Sequence, residues 1–290
     1  MKLAQLGISR RSTAIAAALV GMVSLAIGAH AALNKRALDA ANTAAAEQSV
    51  DAAQKPSRIA LVIGNGHYPD ANAPLTQSIN DARGLTAALR KNGFDVDVVE
   101  DASRDDMARA IDRMKSKIRP DSVVMLFFGG YGIQAGRESY MIPVDATIWK
   151  ESDVRRNGIS IEQVLDAMQE KGARARLAVI DASRRNPYER RFRAFSHGLA
   201  PIAAPDNALV LTSATPGKVA DDGKGQYSVL VAELLNNLNA REVTRAAGAE
   251  AVFNQTRVAV SKASEGAQVP AISSTLTEDV SLADTEKTGG

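Results

Sequence analysis

The 290-residue sequence contains no cysteine, three histidines and one tryptophan. Without cysteine the protein has no disulfide, no thiolate metal site and no cysteine nucleophile. Only His67 and His197 follow the N-terminal segment, so a metal would have to be held by carboxylates, and no cluster of them has ligand spacing. A Walker A motif is also absent, and Pro69 takes the third glycine position of a dinucleotide fingerprint. We therefore expect no metal and no cofactor.

The sequence also lacks an excess of charge. Its formal net charge is +2, but three of its basic residues lie in residues 1–31, which contain no acid; the rest carries 32 basic and 33 acidic side chains. A near-neutral chain has no general electrostatic attraction for nucleic acid. We expect no nucleic-acid partner.

Residues 1–31 have the pattern of a targeting segment. A basic start precedes an apolar run from Thr13 to Ala29, and Ala29-His30-Ala31 fits a small-residue cleavage site. This predicts an exported protein, periplasmic or secreted. The alternative is an inner-membrane anchor, in which case the uncleaved segment is the only contact with a membrane. Residues 32–57 then form a linker.

Strand-like apolar runs alternate with helical patterns from Arg58 onward, which predicts an α/β fold with a mainly parallel sheet. Two of these runs end in unusual loops. Residues 175–180 stop at Asp181-Ala-Ser183-Arg-Arg-Asn-Pro187, and residues 122–128 stop at Gly129-Gly-Tyr131-Gly132. Because ligands bind at the carboxyl ends of parallel strands, these loops are the candidate site.

The same two segments resemble motifs of caspase-like cysteine peptidases. Residues 127–132, Phe-Phe-Gly-Gly-Tyr-Gly, are similar to the aromatic-aromatic-Ala-Gly-His-Gly segment that presents the catalytic histidine, and residues 181–187 to Asp-Ala-Cys-Arg-Asn-Asn-Pro, which presents the cysteine. The resemblance covers about residues 58–238 and a further stretch at 268–276. It implies a caspase-like three-layer sandwich, with a mainly parallel six-stranded sheet between helices on both faces.

The predicted organisation is a caspase-like domain at 58–240, a C-terminal helical extension at 241–274 and a disordered tail at 275–290. The tail is predicted from its polar, acidic composition.

Both positions of the catalytic dyad differ from the family pattern, since Tyr131 replaces histidine and Ser183 replaces cysteine. A phenol with a pKa of about 10 is ionised about one part in a thousand at pH 7, which costs about 4 kcal/mol. We therefore expect a pseudopeptidase in which Tyr131 hydrogen-bonds Ser183 and fills the space of the imidazole. The alternative is an active hydrolase in which Ser183 is the nucleophile, with Tyr131 as its base or with His67 oriented by Asp81.

The resemblance also implies a pocket for a basic P1 side chain, formed by Asp81 of the segment Asn80-Asp81-Ala82 and by Asp181. Two carboxylates suit an arginine or lysine of a peptide or protein partner. Alternatively, Asp81 caps a helix and Asp181 bonds the amides of its own loop, or the domain is a scaffold whose cleft binds nothing.

An arginine tract follows Ser183, and two interpretations of it stay open. It is either a solvated loop or a site for an anionic partner or phospholipid head groups. Its members are Arg184, Arg185, Arg190, Arg191 and Arg193.

Overall fold

A six-stranded sheet forms the centre of the computed structural model, which describes residues 57–69, 74–188, 198–220, 225–240 and 248–283. The described strands are β1 (Arg58–Gly64), β2 (Asp95–Glu100), β3 (Val123–Gly129), β4 (Gly132–Ala135), β5 (Glu138–Met141), β6 (Ile159–Ser160), β7 (Ala175–Asp181), β8 (Ala208–Thr212) and β9 (Ala271–Ser274). The central sheet has the order β2-β1-β3-β7-β8-β9, and β4, β5 and β6 form a small antiparallel sheet. Neighbouring strands of the central sheet are parallel except for β9, which runs antiparallel to β8 at one edge.

Helices cover both faces of the central sheet, as the sequence predicts. They are α1 (Thr76–Lys91), α2 (Arg104–Lys117), α3 (Glu151–Asn157), α4 (Ile161–Glu170), α5 (Val229–Asn239) and α6 (Ala249–Ala263). Apolar residues of α1, α5 and α6 pack on one face, and those of α2 and α4 pack on the other. Since both faces are covered, β3 and β7 are buried along their whole length, which explains their uninterrupted apolar sequences. The predicted three-layer α/β fold is confirmed.

The predicted disorder from Thr275 onward is wrong for residues 275–283. Val280 and Leu282 are fully buried in the core formed with α1, α5 and α6. The carbonyl of Val280 accepts a hydrogen bond from the Ala249 amide at the start of α6 (2.7 Å). Apolar side chains spaced two apart provide this polar segment with enough buried surface to order it. Residues 284–290 lie outside the described residues.

The predicted targeting segment and most of the linker, residues 1–56, also lie outside the described residues. None of the helices that the structure does describe combines the length and apolarity needed to cross a bilayer.

Candidate active site

The loops after β3 and β7 meet at the carboxyl edge of the sheet. Gly129 and Asp181 are register partners at the ends of these strands. Beyond them the Gly130 amide donates to the Asp181 carbonyl (3.2 Å), and the Gly132 amide donates to the Ala182 carbonyl (3.0 Å). Tyr131 and Ser183 therefore lie on adjacent loops, each directly beyond a buried strand.

Tyr131 belongs to a buried aromatic cluster. Its ring packs edge-on against Tyr68, with the ring centroids 4.8 Å apart and the planes at 68°. The Tyr68 hydroxyl accepts a hydrogen bond from the Tyr131 amide (3.0 Å) and donates to the Ile142 carbonyl (3.1 Å). Burial raises the pKa of Tyr68, so this phenol is a neutral structural group at pH 7. Packing against Tyr68 sets the position of the Tyr131 ring.

Ser183 has no base within hydrogen-bonding distance in the described part of the chain. Its side chain is buried, and its Oγ makes no hydrogen bond with any described residue. The predicted hydrogen bond between Tyr131 and Ser183 is therefore absent. The aromatic packing of Tyr131 explains the difference, because it fixes the ring independently of the serine.

The backbone amides next to Ser183 are already engaged. The Ser183 amide donates to the Ser213 Oγ (3.3 Å), and the Gly132 amide donates to Ala182. An acyl-transfer site needs amide donors aimed at the oxyanion of the tetrahedral intermediate, and the amide of the nucleophile itself often serves. In this conformation neither amide is available for that purpose.

His67 lies on the rim but is paired with a different acid from the one predicted. Its Nδ1 lies 2.6 Å from Asp101 Oδ2, and the amides of Gly66 and His67 donate to Asp101 Oδ1 (2.8 and 2.9 Å). Partial burial acts to raise the pKa of Asp101, but these hydrogen bonds outweigh it and lower the pKa. The predicted orientation of His67 by Asp81 is wrong, because β2 lies beside β1 and brings Asp101 to the histidine.

His67 also makes no hydrogen bond to Ser183. The histidine follows β1, the serine follows β7, and β3 separates these strands in the sheet. The His67 side chain is 77% exposed, on the solvent side of the rim.

Asp81 lies inside α1, on the side that faces the sheet, and is fully buried. α1 approaches closely because Gly64 has no side chain: a Cβ there would lie 2.6 Å from both Ala82 Cβ and the Ser78 carbonyl oxygen. Asp81 Oδ1 accepts a hydrogen bond from the amide of Ser228, the N-cap of α5 (2.9 Å). Asp81 does not cap α1, which begins five residues earlier at Thr76; the helix start that it bonds is that of α5.

Asp181, at the end of β7, is also fully buried, and it contacts a cation from its own loop. Arg184 Nη2 lies 3.3 Å from Asp181 Oδ1, and Arg184 Nη1 donates to the Ala220 carbonyl (3.4 Å). Neither carboxylate oxygen of Asp181 accepts a hydrogen bond from a described residue. Asp181 therefore does not bond the amides of its own loop, as one alternative predicted.

Asp81, Asp181 and Arg184 form one buried electrostatic cluster. Burial and the neighbouring charge of Asp181 raise the pKa of Asp81 to about 8, against the opposing effects of the Ser228 amide and of Arg184. Arg184 thus balances one carboxylate, and the second has no counter-ion among the described residues that surround it. We call this cluster the acidic pocket.

The role of Arg184 was not predicted from the sequence. Arg184 belongs to the arginine tract, for which a solvated loop and a site for an anionic partner are the two interpretations, but Arg184 is 4% exposed whereas Arg185 is an exposed residue. The sequence feature that could have indicated its contact with Asp181 is its position three residues after that aspartate. The other members of the tract, Arg190, Arg191 and Arg193, lie outside the described residues.

Comparison with known proteins agrees with this architecture. The caspase domain model of peptidase family C14 matches residues 57–281 and so includes β9 and the whole of the predicted C-terminal extension. Human mucosa-associated lymphoid tissue lymphoma translocation protein 1 is 31% identical over 147 residues, which are 49% of this chain and 17% of that protein. Its mouse homologue is 31% identical over 136 residues, 46% of this chain and 16% of that protein. This chain therefore matches about a sixth of the length of these relatives. By its sequence match and its fold, the chain belongs to the caspase domain family.

Proposed function

We propose that this caspase-domain protein is a pseudopeptidase that binds a basic side chain of a peptide or protein partner in the acidic pocket and does not cleave it. The observation that carries the proposal is the pair of buried carboxylates, Asp81 and Asp181, of which three of the four oxygens accept no hydrogen bond from a described residue.

The absence of cleavage is supported by the surroundings of Ser183. A serine hydroxyl is a weak nucleophile and needs a base in hydrogen-bonding contact. The Ser183 Oγ contacts no such base among the described residues, and its amide is engaged by Ser213. Tyrosine would also be a poor base because of its high ordinary pKa.

Binding is supported by the buried carboxylate oxygens of the pocket that have no hydrogen-bond donor among the described residues. A buried acceptor without a donor costs about 1–3 kcal/mol, and more when it is charged. Asp81 Oδ2 and both oxygens of Asp181 are such acceptors. A buried carboxylate with a strongly raised pKa, as at Asp81, is typical of functional sites, where stability is given up for binding or chemistry. A ligand with a cationic donor would supply the missing hydrogen bonds and would favour the ionised form of Asp81.

Access to the pocket requires movement of a covering segment, since both acids are buried. Residues 225–228 lie over the first turns of α1. The Gln77 side chain donates to the Gly225 carbonyl (2.8 Å), and the Asn80 side chain donates to the Gln226 carbonyl (3.2 Å). Displacement of these residues would uncover Asp81, which bonds Ser228 of the same segment.

The proposal is tested with fluorescent peptides that vary at a single position among Lys, Arg, Gln and Glu. We expect the basic peptides to bind and the others not to bind. Asp81→Asn and Asp181→Asn should each weaken basic-peptide binding about tenfold or more, since a charged hydrogen bond contributes about 1.5–3 kcal/mol. Asp121→Asn is the matched control, because this exposed acid lies before β3, at the opposite end of the sheet. Equal affinity in wild type and both pocket variants would refute the proposal.

A further inference from the structure

The acidic pocket already holds one guanidinium, and this limits what else it accepts. Asp181 Oδ1 lies 3.3 Å from Arg184 Nη2, and Asp81 Oδ1 accepts the Ser228 amide. Asp81 Oδ1 is therefore hydrogen-bonded, and Asp181 Oδ1, which accepts no hydrogen bond, faces the Arg184 guanidinium in an ion pair. Neither acid presents both of its oxygens to a ligand.

Three separate acceptors remain in the pocket: Asp81 Oδ2, Asp181 Oδ2 and the hydroxyl of Ser78. All three are buried and hydrogen-bond to no described residue. Ser78 lies one turn before Asp81 on α1, and its Cα is 3.7 Å from where a Cβ of Gly129 would lie. Because Gly129 is the register partner of Asp181, Ser78 is placed over the same strand ends as the two acids.

These acceptors fit an ammonium group better than a guanidinium group. A guanidinium is a planar fork that pairs best with both oxygens of one carboxylate. An ammonium is compact and has three donors, which can point to three single acceptors on different residues. Its positive charge would also favour the ionised form of Asp81, which forms no ion pair with a described residue.

We propose that the acidic pocket selects the ammonium of a lysine side chain over the guanidinium of an arginine, and that Arg184 is the residue that determines this preference. The inference rests on the proposed function, since it names the basic side chain that the pocket takes. It assigns Arg184 a place in the pocket wall, where it withholds one oxygen of Asp181 from the ligand.

The first test compares two fluorescent peptides that are identical except for Lys or Arg at one position, titrated with the full chain. We expect the lysyl peptide to bind about tenfold more tightly, which corresponds to about 1.4 kcal/mol. Equal affinities, or tighter binding of the arginyl peptide, would overturn the lysine preference and leave the proposed function intact. Failure of both peptides to bind would overturn the inference together with the proposed function.

The second test replaces Arg184. In Arg184→Met, Asp181 regains both oxygens, so the preference should move to the arginyl peptide by about tenfold or more. Arg185→Met is the matched control, because Arg185 is the exposed neighbour, and it should keep the lysine preference. An unchanged preference in Arg184→Met would overturn the role of Arg184.

A third measurement needs no variant and so does not depend on whether Arg184→Met folds. The thermal shift of the wild type is compared with n-butylamine and with n-butylguanidine as probes. The inference predicts the larger shift with the amine. A larger shift with the guanidine, or equal shifts, would contradict it.

Discussion

Replacing Tyr131 with His and Ser183 with Cys in one protein is expected to create a peptidase that cleaves after basic residues. The rate should exceed that of the wild type by about 100-fold or more, the usual contribution of a positioned general base. The two loops are joined by the hydrogen bond from the Gly132 amide to the Ala182 carbonyl (3.0 Å), so the imidazole and the thiol would lie on neighbouring backbone. A thiol with a pKa of about 8.5 next to an imidazole also ionises far more readily than a serine.

A third change should raise this rate further. The Ser183 amide donates to Ser213 Oγ (3.3 Å), and Ser213→Ala releases it to stabilise an oxyanion. One such donor contributes about 10²–10³ in kcat. Cleavage is measured by mass spectrometry on a peptide library that varies the P1 residue, with Tyr131→His alone as the control. A triple variant that binds basic peptides yet releases no product would show that the dyad positions and the engaged amide do not explain the inactivity.

Asp81→Asn is expected to stabilise the folded protein by about 3 kcal/mol or more at pH 8, because each pKa unit is worth about 1.4 kcal/mol. The folded-state pKa of Asp81 is raised to about 8, well above that of an aspartate in an unfolded chain. Between pH 4 and pH 8 the native state therefore keeps a proton that the unfolded chain has lost. The free energy of unfolding of the wild type must fall as the pH rises through this window and level off above it.

Asparagine removes this dependence because it cannot ionise, and its Oδ1 can still accept the Ser228 amide. Urea unfolding at a series of pH values measures the effect, with Asp121→Asn as the control. The control curve should run parallel to that of the wild type, whereas the curve of Asp81→Asn should be flatter. Parallel curves for all three proteins would show that Asp81 does not hold its proton in the native state.

The sequence predicted the fold through features that are local in the chain. Continuous apolar runs located β1, β3, β7 and β8, because strands buried on both faces have no polar side to alternate with. Ser160, a residue type common at helix starts, directly precedes the apolar pattern of α4, and its Oγ accepts the Gln163 amide (3.3 Å). The small antiparallel sheet is harder to recognise in the sequence, because the two-residue strand β6 has no pattern of its own.

The site was harder to predict because its contacts depend on spatial order. His67 pairs with Asp101 because β2 lies beside β1, and strand order cannot be read from residue spacing. Arg184 and Arg185 are identical neighbours, yet only Arg184 is buried next to Asp181. That difference follows from the direction of each side chain at the end of β7. Composition contains no information about it.

The central claim is that the cleft binds a basic peptide without cutting it. The most direct measurement incubates a lysyl or arginyl peptide with the wild type and with Ser183→Ala, measures both dissociation constants, and analyses the recovered peptide by mass spectrometry. We predict equal affinities and intact peptide from both proteins. Peptide fragments produced by the wild type and absent with Ser183→Ala would contradict this claim and identify Ser183 as a working nucleophile.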